Sequence, residues 1–536
     1  MATMRSAFLV ALALTASACG GERSGADDAR ASARGGTVVV TSSDDLTPMN
    51  SLVNSNRWGQ EVLRYALALP LVRYGPDLGY EPALASAWEA SGDTAVLFEL
   101  RHDVYWHDGA HTTAYDVAFT FERAIDPHST YPAAGDFASW RGVEVVDSFH
   151  VRFRYSPHAD PLASVPFLPV MPRHLLDSIP AERMGQAEFN RHPVGNGPFR
   201  FVEYRPGERW VFEANPDFPE ALGGPPRLDR FVWRVVADAA AQMAEMRTGN
   251  AQLALNVGAE AWIGLDSTGP VVPVTREARQ YAMIAWNGRH APLGDARVRR
   301  ALSMAIDRQR MIDAVRYGHG YLATGPVGRY HWSYDDTLEP LPYDTAGARA
   351  LLAEAGLRDV DGDGFLDRPD GGPFRIELLY PPVQPNPDLA ELVRNDLAAV
   401  GVRLEPRPME FGAIVGVVMA PARDFDGVML AWEADFRLNM RANFDGRAVD
   451  EPLQIAGYSN LAADSLIDST ERITDRDAAR PLLHRLQRIL RDDQPWAFLY
   501  YYDDLFAAAR ELRGADMDIR GALVNLPRWW LAGTAP

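Results

Sequence analysis

Two glycines and two prolines fall within Pro193-Val194-Gly195-Asn196-Gly197-Pro198. Proline fixes φ and removes an amide donor, and glycine loosens the backbone, so neither a helix nor an interior strand runs through this segment. It reads as punctuation between domains. A phosphate cradle is excluded, because no Lys-Ser/Thr pair and no helix follow as a P-loop requires. A chain of 536 residues is too long for one compact core, so two or three domains are expected. With 47% hydrophobic and 23% charged residues, the composition is that of a soluble globular protein. The net charge of −19 argues against nucleic acid and against a basic membrane-binding surface.

The first nineteen residues read as an address. Arg5 supplies a positive start, and residues 7–14 are an apolar run too short to span a bilayer. Ala16-Ser17-Ala18-Cys19-Gly20 then resembles a bacterial lipobox, with Ala16 where Leu is commonest. Cys19 is the one cysteine of the chain, so no internal disulfide can form. A diacylglyceryl anchor on Cys19 accounts for its place; an ordinary signal peptide cleaved nearby is the alternative. Residues 20–36 lack large apolar side chains and read as a flexible leash, with folded structure from Thr37.

Beyond the leash, the chain reads as a series of short strands and amphipathic helices. Residues 96–100 alternate as a strand, and Thr112 or Thr113 caps a helix bearing Val117, Phe121 and Ala124 on one face. His102, His107 and His111 have spacings that cross a turn, so their imidazoles should diverge and not gather a metal. In residues 424–436 a buried strand, 428–431, runs into Trp432-Glu433-Ala434-Asp435. Acids and an aromatic at a strand end suit a ligand site. Asp435 would anchor a cationic group, with Trp432 as pocket wall. The competing reading makes Trp432 core and Asp435 a cap.

Residues 359–370 place Asp359, Asp361, Asp363, Asp367 and Asp370 at positions 1, 3, 5, 9 and 12 of an EF-hand-like loop, with Gly362 at 6. Oxygen ligands so spaced suit Ca2+. Against this, position 12 is not Glu, Pro369 precedes it, and a strand follows where an EF-hand has a helix.

Several ordered motifs carry a family resemblance. Phe98-Glu99-Leu100-Arg101-His102-Asp103-Val104-Tyr105-Trp106-His107-Asp108-Gly109, followed by residues 113–121, resembles the signature of family 5 extracellular solute-binding proteins, the oligopeptide, dipeptide and nickel receptors of ABC importers. Residues 168–176, the Pro193–Phe201 crossover with Asn196 for the usual Thr, and the helix beginning Asp295-Ala296-Arg297-Val298-Arg299 continue the match. The resemblance implies an α/β, periplasmic-binding-protein-like fold of type II, with two main lobes closing on a ligand and a third, additional lobe. Its implied division is signal peptide 1–19, linker 20–36, first lobe 37–75, additional lobe 76–192, first lobe again 193–282, second lobe 283–500, and a return to the first lobe over 501–536.

Within that family, Trp432-Glu433-Ala434-Asp435-Phe436 matches a motif whose Asp holds a peptide's α-ammonium. The same resemblance places Asn56, Trp58, Phe411, Ala431 and Trp432 in the pocket wall, with Tyr131 a weaker candidate. Met429 stands where peptide receptors often have Arg, and Glu433 is expected in a side pocket or on the surface. The implied function is capture of extracytoplasmic peptides for a membrane permease and ATPase, by a monomer tethered through Cys19, with no nucleic-acid partner. No cofactor is required, Ca2+ apart. A nickel chelate, another cationic small molecule, or a sensing role are the alternatives. The hydrolase class lacks support, since there is no Gly-x-Ser-x-Gly, no His-Glu-x-x-His and no cysteine outside the lipid site.

Overall fold

A computed structural model describes residues 35–533 except 138, 158, 159, 435, 437 and 439. Cys19, the leader and most of the leash lie outside the described residues, as does Asp435.

An eleven-stranded sheet runs through the molecule. Its order is Arg403–Pro408, Arg375–Tyr380, Gly427–Glu433, Val271–Trp286, Trp496–Ala509, Leu253–Ala254, Thr37–Ser42, Arg230–Val235, Arg209–Ala214 and Phe199–Arg205, with Gly320–Leu322 also paired to Trp496–Ala509. Non-sequential neighbours show that the chain leaves each half of the sheet and returns. A separate four-stranded antiparallel sheet is built from Ala85–Ala90, Ala95–Leu100, His150–Tyr155 and Trp140–Asp147.

Two strands are much longer than the rest, Val271–Trp286 with 16 residues and Trp496–Ala509 with 14. They pair antiparallel and belong to both halves. Val271 to Glu277 lie opposite Ala509 to Asp503, and pairing resumes only at Tyr281 opposite Tyr501. Ala278, Arg279 and Gln280 therefore face Tyr502 alone. Such a bulge bends the ladder and re-aims the side chains it carries.

The cores follow this division. One cluster of buried side chains draws on residues from Val38 to Leu255, with Phe506 and the C-terminal segment through Trp529. The four-stranded sheet, through Phe98 and Phe153, belongs to that same cluster, so the expected additional lobe shares its core with the first. Beyond the bulge, alternation separates two further clusters. Ala282, Ile284 and Trp286 face one of them, while Tyr281, Met283 and Ala285 face the other.

The glycine-proline segment shows why it must be what it is. Gly197 N donates to Leu67 O at 2.9 Å, and Asn196 Oδ1 accepts from Leu69 N at 2.8 Å. A Cβ on Gly195 would lie 1.8 Å from Leu67 O. His107 is drawn into this junction, with Nε2 3.0 Å from Gly197 O, and burial lowers its pKa to about 4. His111 instead reaches His102 O at 2.9 Å, and among the described residues the three histidines form no metal-binding cluster.

Where the long strands cross, a buried ionic network ties them to the first helix, Arg57–Val62. Arg276 Nε donates to Asp504 Oδ2 at 2.9 Å and Arg276 Nη1 to Asp518 O at 2.8 Å. Arg57 pairs with the same Asp504 carboxylate, and Glu61 lies 3.5 Å from Arg276 while accepting from Leu523 N at 3.0 Å. Burial pushes the Asp504 carboxyl up, but the charges of Arg57 and Arg276 outweigh it and hold the pKa at about 2.

Gly195→Ala should cost about 1–3 kcal/mol in urea unfolding, because Leu67 O belongs to backbone that cannot yield cheaply. Asp504→Ala should cost about 3–5 kcal/mol near neutral pH, since it strands two guanidinium groups. The Asp504 contribution is complete above its ordinary value of 3.8 and is lost as the pH falls through about 2. The stability difference between wild type and variant should therefore shrink in acid, which chemical melts across that range would read.

Candidate functional site

The strand Gly427–Glu433 runs further than its apolar core predicts, so Trp432 and Glu433 belong to the strand and not to a turn. Gly427 admits it beside Trp286, whose ring a Cβ there would meet at 3.0 Å. On one side the strand pairs with Val271–Trp286 along its whole length. Asn287 N donates to Asp426 O at 2.8 Å and Ala434 N to Arg279 O at 2.6 Å. In an antiparallel ladder the backbone polar groups alternate sides. Even-numbered positions from Asp426 to Ala434 thus face the long strand, and odd-numbered ones face the other way. On that other side, Arg375–Tyr380 pairs only with Gly427 and Val428. Among the described residues no strand pairs there with the rest, so Ala431 and Glu433 present N–H and C=O groups along an open edge.

The strand ends at a cleft of about 530 Å³. One wall comes from the first half of the sheet's surroundings, with Ser51, Gln60, Tyr131 and Phe167, and the other carries Arg279 and Glu433. Arg279 is aimed here by the bulge. Its guanidinium lies 5.2 Å from the Phe167 ring centre and 5.0 Å from that of Phe436, and it meets Glu433 at 2.8 Å. Phe436 in turn sits 4.9 Å from Tyr74 and 5.7 Å from Phe167, so aromatic contact closes across the halves. A guanidinium between two ring faces is held by their quadrupoles as well as by its ion pair.

A second cavity of about 500 Å³ continues beyond Phe436, lined by Ala163, Trp332, Met440, Ile467 and Leu483. His331 is buried there, its Nε2 2.8 Å from Phe436 O, and burial lowers its pKa to about 4. Beside it Arg476, first residue of helix Arg476–Asp493, pairs with Asp160, which also accepts from Tyr80 Oη.

The residues expected from the sequence divide. Ala431 lies exposed on the open edge, and Trp432 is half-buried against Trp496 at 5.0 Å. Tyr131 lines the cleft. Three expectations need correction. Asn56 caps the first helix, its Oδ1 accepting from Gly59 N at 2.8 Å. Trp58 is core, 6.1 Å from Trp233 and 6.2 Å from Phe506. Phe411 is 57% exposed at the start of helix Phe411–Val418 and lines none of the cavities described. Met429 is buried in the core and leaves the cleft without a cation at that position, whereas Arg279 supplies one from the neighbouring strand. Glu433, expected in a side pocket or on the surface, lines the cleft with its side chain 44% exposed. Asp435 and Cys19 lie outside the described residues. Arg279 and Phe167 escape sequence reasoning because a bulge and a remote loop bring them together; neither sits in a ligand motif.

The acidic loop gathers three of its five carboxylates. Oxygens of Asp359, Asp361 and Asp363 lie within 4.8 Å of one another, all exposed. Asp367 instead accepts from Val360 N at 3.0 Å, and Asp370 lies 3.4 Å from Arg368. Asp359 caps Gly362 N and Gly364 N, and Asp363 meets Arg403 at 2.8 Å. The loop therefore satisfies itself through backbone amides and an arginine, and the five-ligand set expected of Ca2+ is not assembled.

The family model for bacterial extracellular solute-binding proteins, family 5, matches residues 79–442. The oligopeptide-binding protein AppA of Bacillus subtilis is 29% identical over 548 residues, covering 99% of each chain. A dipeptide-binding protein of Pseudomonas aeruginosa is 27% identical over 448 residues, 77% of this chain and 80% of its own. Among solved structures, Bacillus subtilis AppA in complex with a nonapeptide superposes with a TM-score of 0.80 at 27% identity, over 93% of this chain and 99% of that one. CtaP from Listeria monocytogenes gives 0.81 at 22% identity, over 93% and 100%, a likeness of fold. With its type II periplasmic-binding fold and a cleft between two halves of one crossed sheet, the chain belongs to the family 5 bacterial extracellular solute-binding proteins.

Proposed function

We propose that this substrate-binding protein captures peptides outside the cytoplasm and delivers them to an ABC permease with its ATPase. The observation that carries the reading is the open edge of Gly427–Glu433, which ends in the cleft. An extended peptide can add there as a further strand, bonding to Ala431 and Glu433 through its backbone. Such bonds do not depend on side chains, so affinity comes with broad sequence tolerance. Similarity to AppA, whose solved structure holds a nonapeptide, supports an extended ligand. By resemblance, Asp435 takes the ligand's α-ammonium as a charge-assisted pair. Arg279 and Glu433, already paired, meet acidic and basic groups further along. The protein acts as a monomer, with lobes 37–75, 193–282 and 501–536 closing against 283–500. No cofactor enters this role.

A peptide with a free amino terminus should bind in calorimetry, and its N-acetylated form about 100-fold more weakly. Asp435→Ala should lower the affinity for the free peptide by a similar factor and leave the acetylated one unaffected. Ala431→Pro removes one edge N–H without touching the ladder to Val271–Trp286, and should cost about tenfold. Equal affinity for free and acetylated peptide would refute the anchor, and unchanged affinity in Ala431→Pro the edge. Mass spectrometry of ligands released from denatured protein should find peptides.

Cys19 carries the membrane tether in this reading. Cells fed labelled palmitate should label the wild-type protein and not Cys19→Ser, which should leave the membrane fraction. Label retained in Cys19→Ser sinks the lipid anchor and leaves the receptor role standing.

A further inference from the structure

A cavity of about 1,020 Å³ lies behind the cleft, between the π-helical turn Leu63–Leu67 and the C-terminal segment. Four arginines line it, Arg64, Arg73, Arg520 and Arg528, against a single acid, Glu81. In a chain of net charge −19 that concentration of cations is local and not a property of the whole surface. Two of the four are engaged by acids. Arg73 meets Glu81 at 3.2 Å, and Arg520 meets Asp518 at 2.6 Å while donating to Tyr74 O at 3.1 Å.

Arg64 is different. It is only 7% exposed, yet among the described residues its guanidinium has no hydrogen bond and no ion pair, and Nε is buried without a partner. Its contacts are ring faces, Phe167 at 4.4 Å and Tyr65 at 5.6 Å. Removing a guanidinium from water without an anion is costly. The residue is placed by a π-helical turn, a wider coil that recurs at functional positions. At the mouth Arg528 is exposed and also lacks a side-chain partner among the described residues. Leu69, Phe218, Leu222 and Val524 make the remaining wall apolar.

We infer that this cavity is a second ligand site, distinct from the peptide cleft, for a small amphiphilic anion whose carboxylate or phosphate head meets Arg64 and whose apolar body lies against Phe218 and Leu222. The head supplies the hydrogen-bond acceptor that Arg64 lacks, and a charge-assisted bidentate pair is the arrangement a buried guanidinium favours. The site shares a wall with the cleft, because Phe167 lies between Arg64 and Arg279.

The test is calorimetric titration of the whole protein, freed of ligand, with octanoate, 1-octanol and inorganic phosphate separately. Octanoate should bind at one equivalent, 1-octanol at least about tenfold more weakly, and Arg64→Met should weaken octanoate by about tenfold or more. Phosphate heat that Arg64→Met abolishes supports the site and assigns it a phosphate head. No heat from either anion, or affinity unchanged in Arg64→Met, overturns the inference. If Arg64→Met does not fold, Leu222→Trp fills the apolar end and must weaken octanoate similarly; unchanged affinity there overturns it equally. Peptide titration of the same variants reads the cleft separately, so failure of one site is distinguishable from failure of the other.

Discussion

The carboxylate of Asp504 fixes the two crossing strands to the first half of this molecule. It sits on one of two long strands, receives Arg276 from the other, and receives Arg57 from the first helix. Three elements far apart in the chain are thus fixed to one buried charge. An apolar contact could hold them together with comparable energy, but it would not fix their angle. Opposed buried charges tolerate little displacement, because separating them in a low dielectric leaves each unpaired. The bulge at 278–280 lies just beyond this point. On one side of it the strands serve the first core, and on the other they divide between two further clusters. The crossing is thus a fixed ionic anchor followed by an irregular step in the ladder.

The same bulge furnishes the cleft. A regular strand would alternate its side chains between faces and send Arg279 into one of the cores. The irregular ladder turns it between Phe167 and Phe436 and against Glu433. The irregular step in the ladder and the wall of the cleft are therefore one feature of the backbone. The open edge of Gly427–Glu433 has a related origin, since its neighbour Arg375–Tyr380 stops pairing after Val428. An exposed edge is a hazard for aggregation unless something covers it. Here its free part is short and ends in a cleft, which limits what can add to it.

Tight backbone packing at the domain junction extends the same logic. Gly195 and Gly197 let the crossover lie on Leu67 O, and the π-helical turn below them widens by a residue. That widening places Arg64 in the rear cavity and its plane on Phe167. The junction, the cavity and the cleft wall are consequently in contact, through a few residues with no slack between them.

Much of this was legible in the sequence. Local signals determined the elements: Thr113 and Asp116 form the capping box of helix Ala114–Ile125, and the glycine-proline run marks a crossover. Ordered motifs determined the family, and they picked out Ala431 and Trp432 on the strand that ends at the cleft, whose lining includes Tyr131. What the sequence could not decide was orientation. Trp58 and Phe411 are both aromatic residues beside helix starts, yet one is core and the other exposed, since that depends on which face a distant strand covers. The acidic loop has five ligands at the right spacing, but its backbone and Arg403 occupy them differently. Arg279, Phe167 and Arg64 gain their roles from a bulge, a remote loop and a π-turn. Those features arise from long-range strand pairing and close packing, energies that no window along the chain contains.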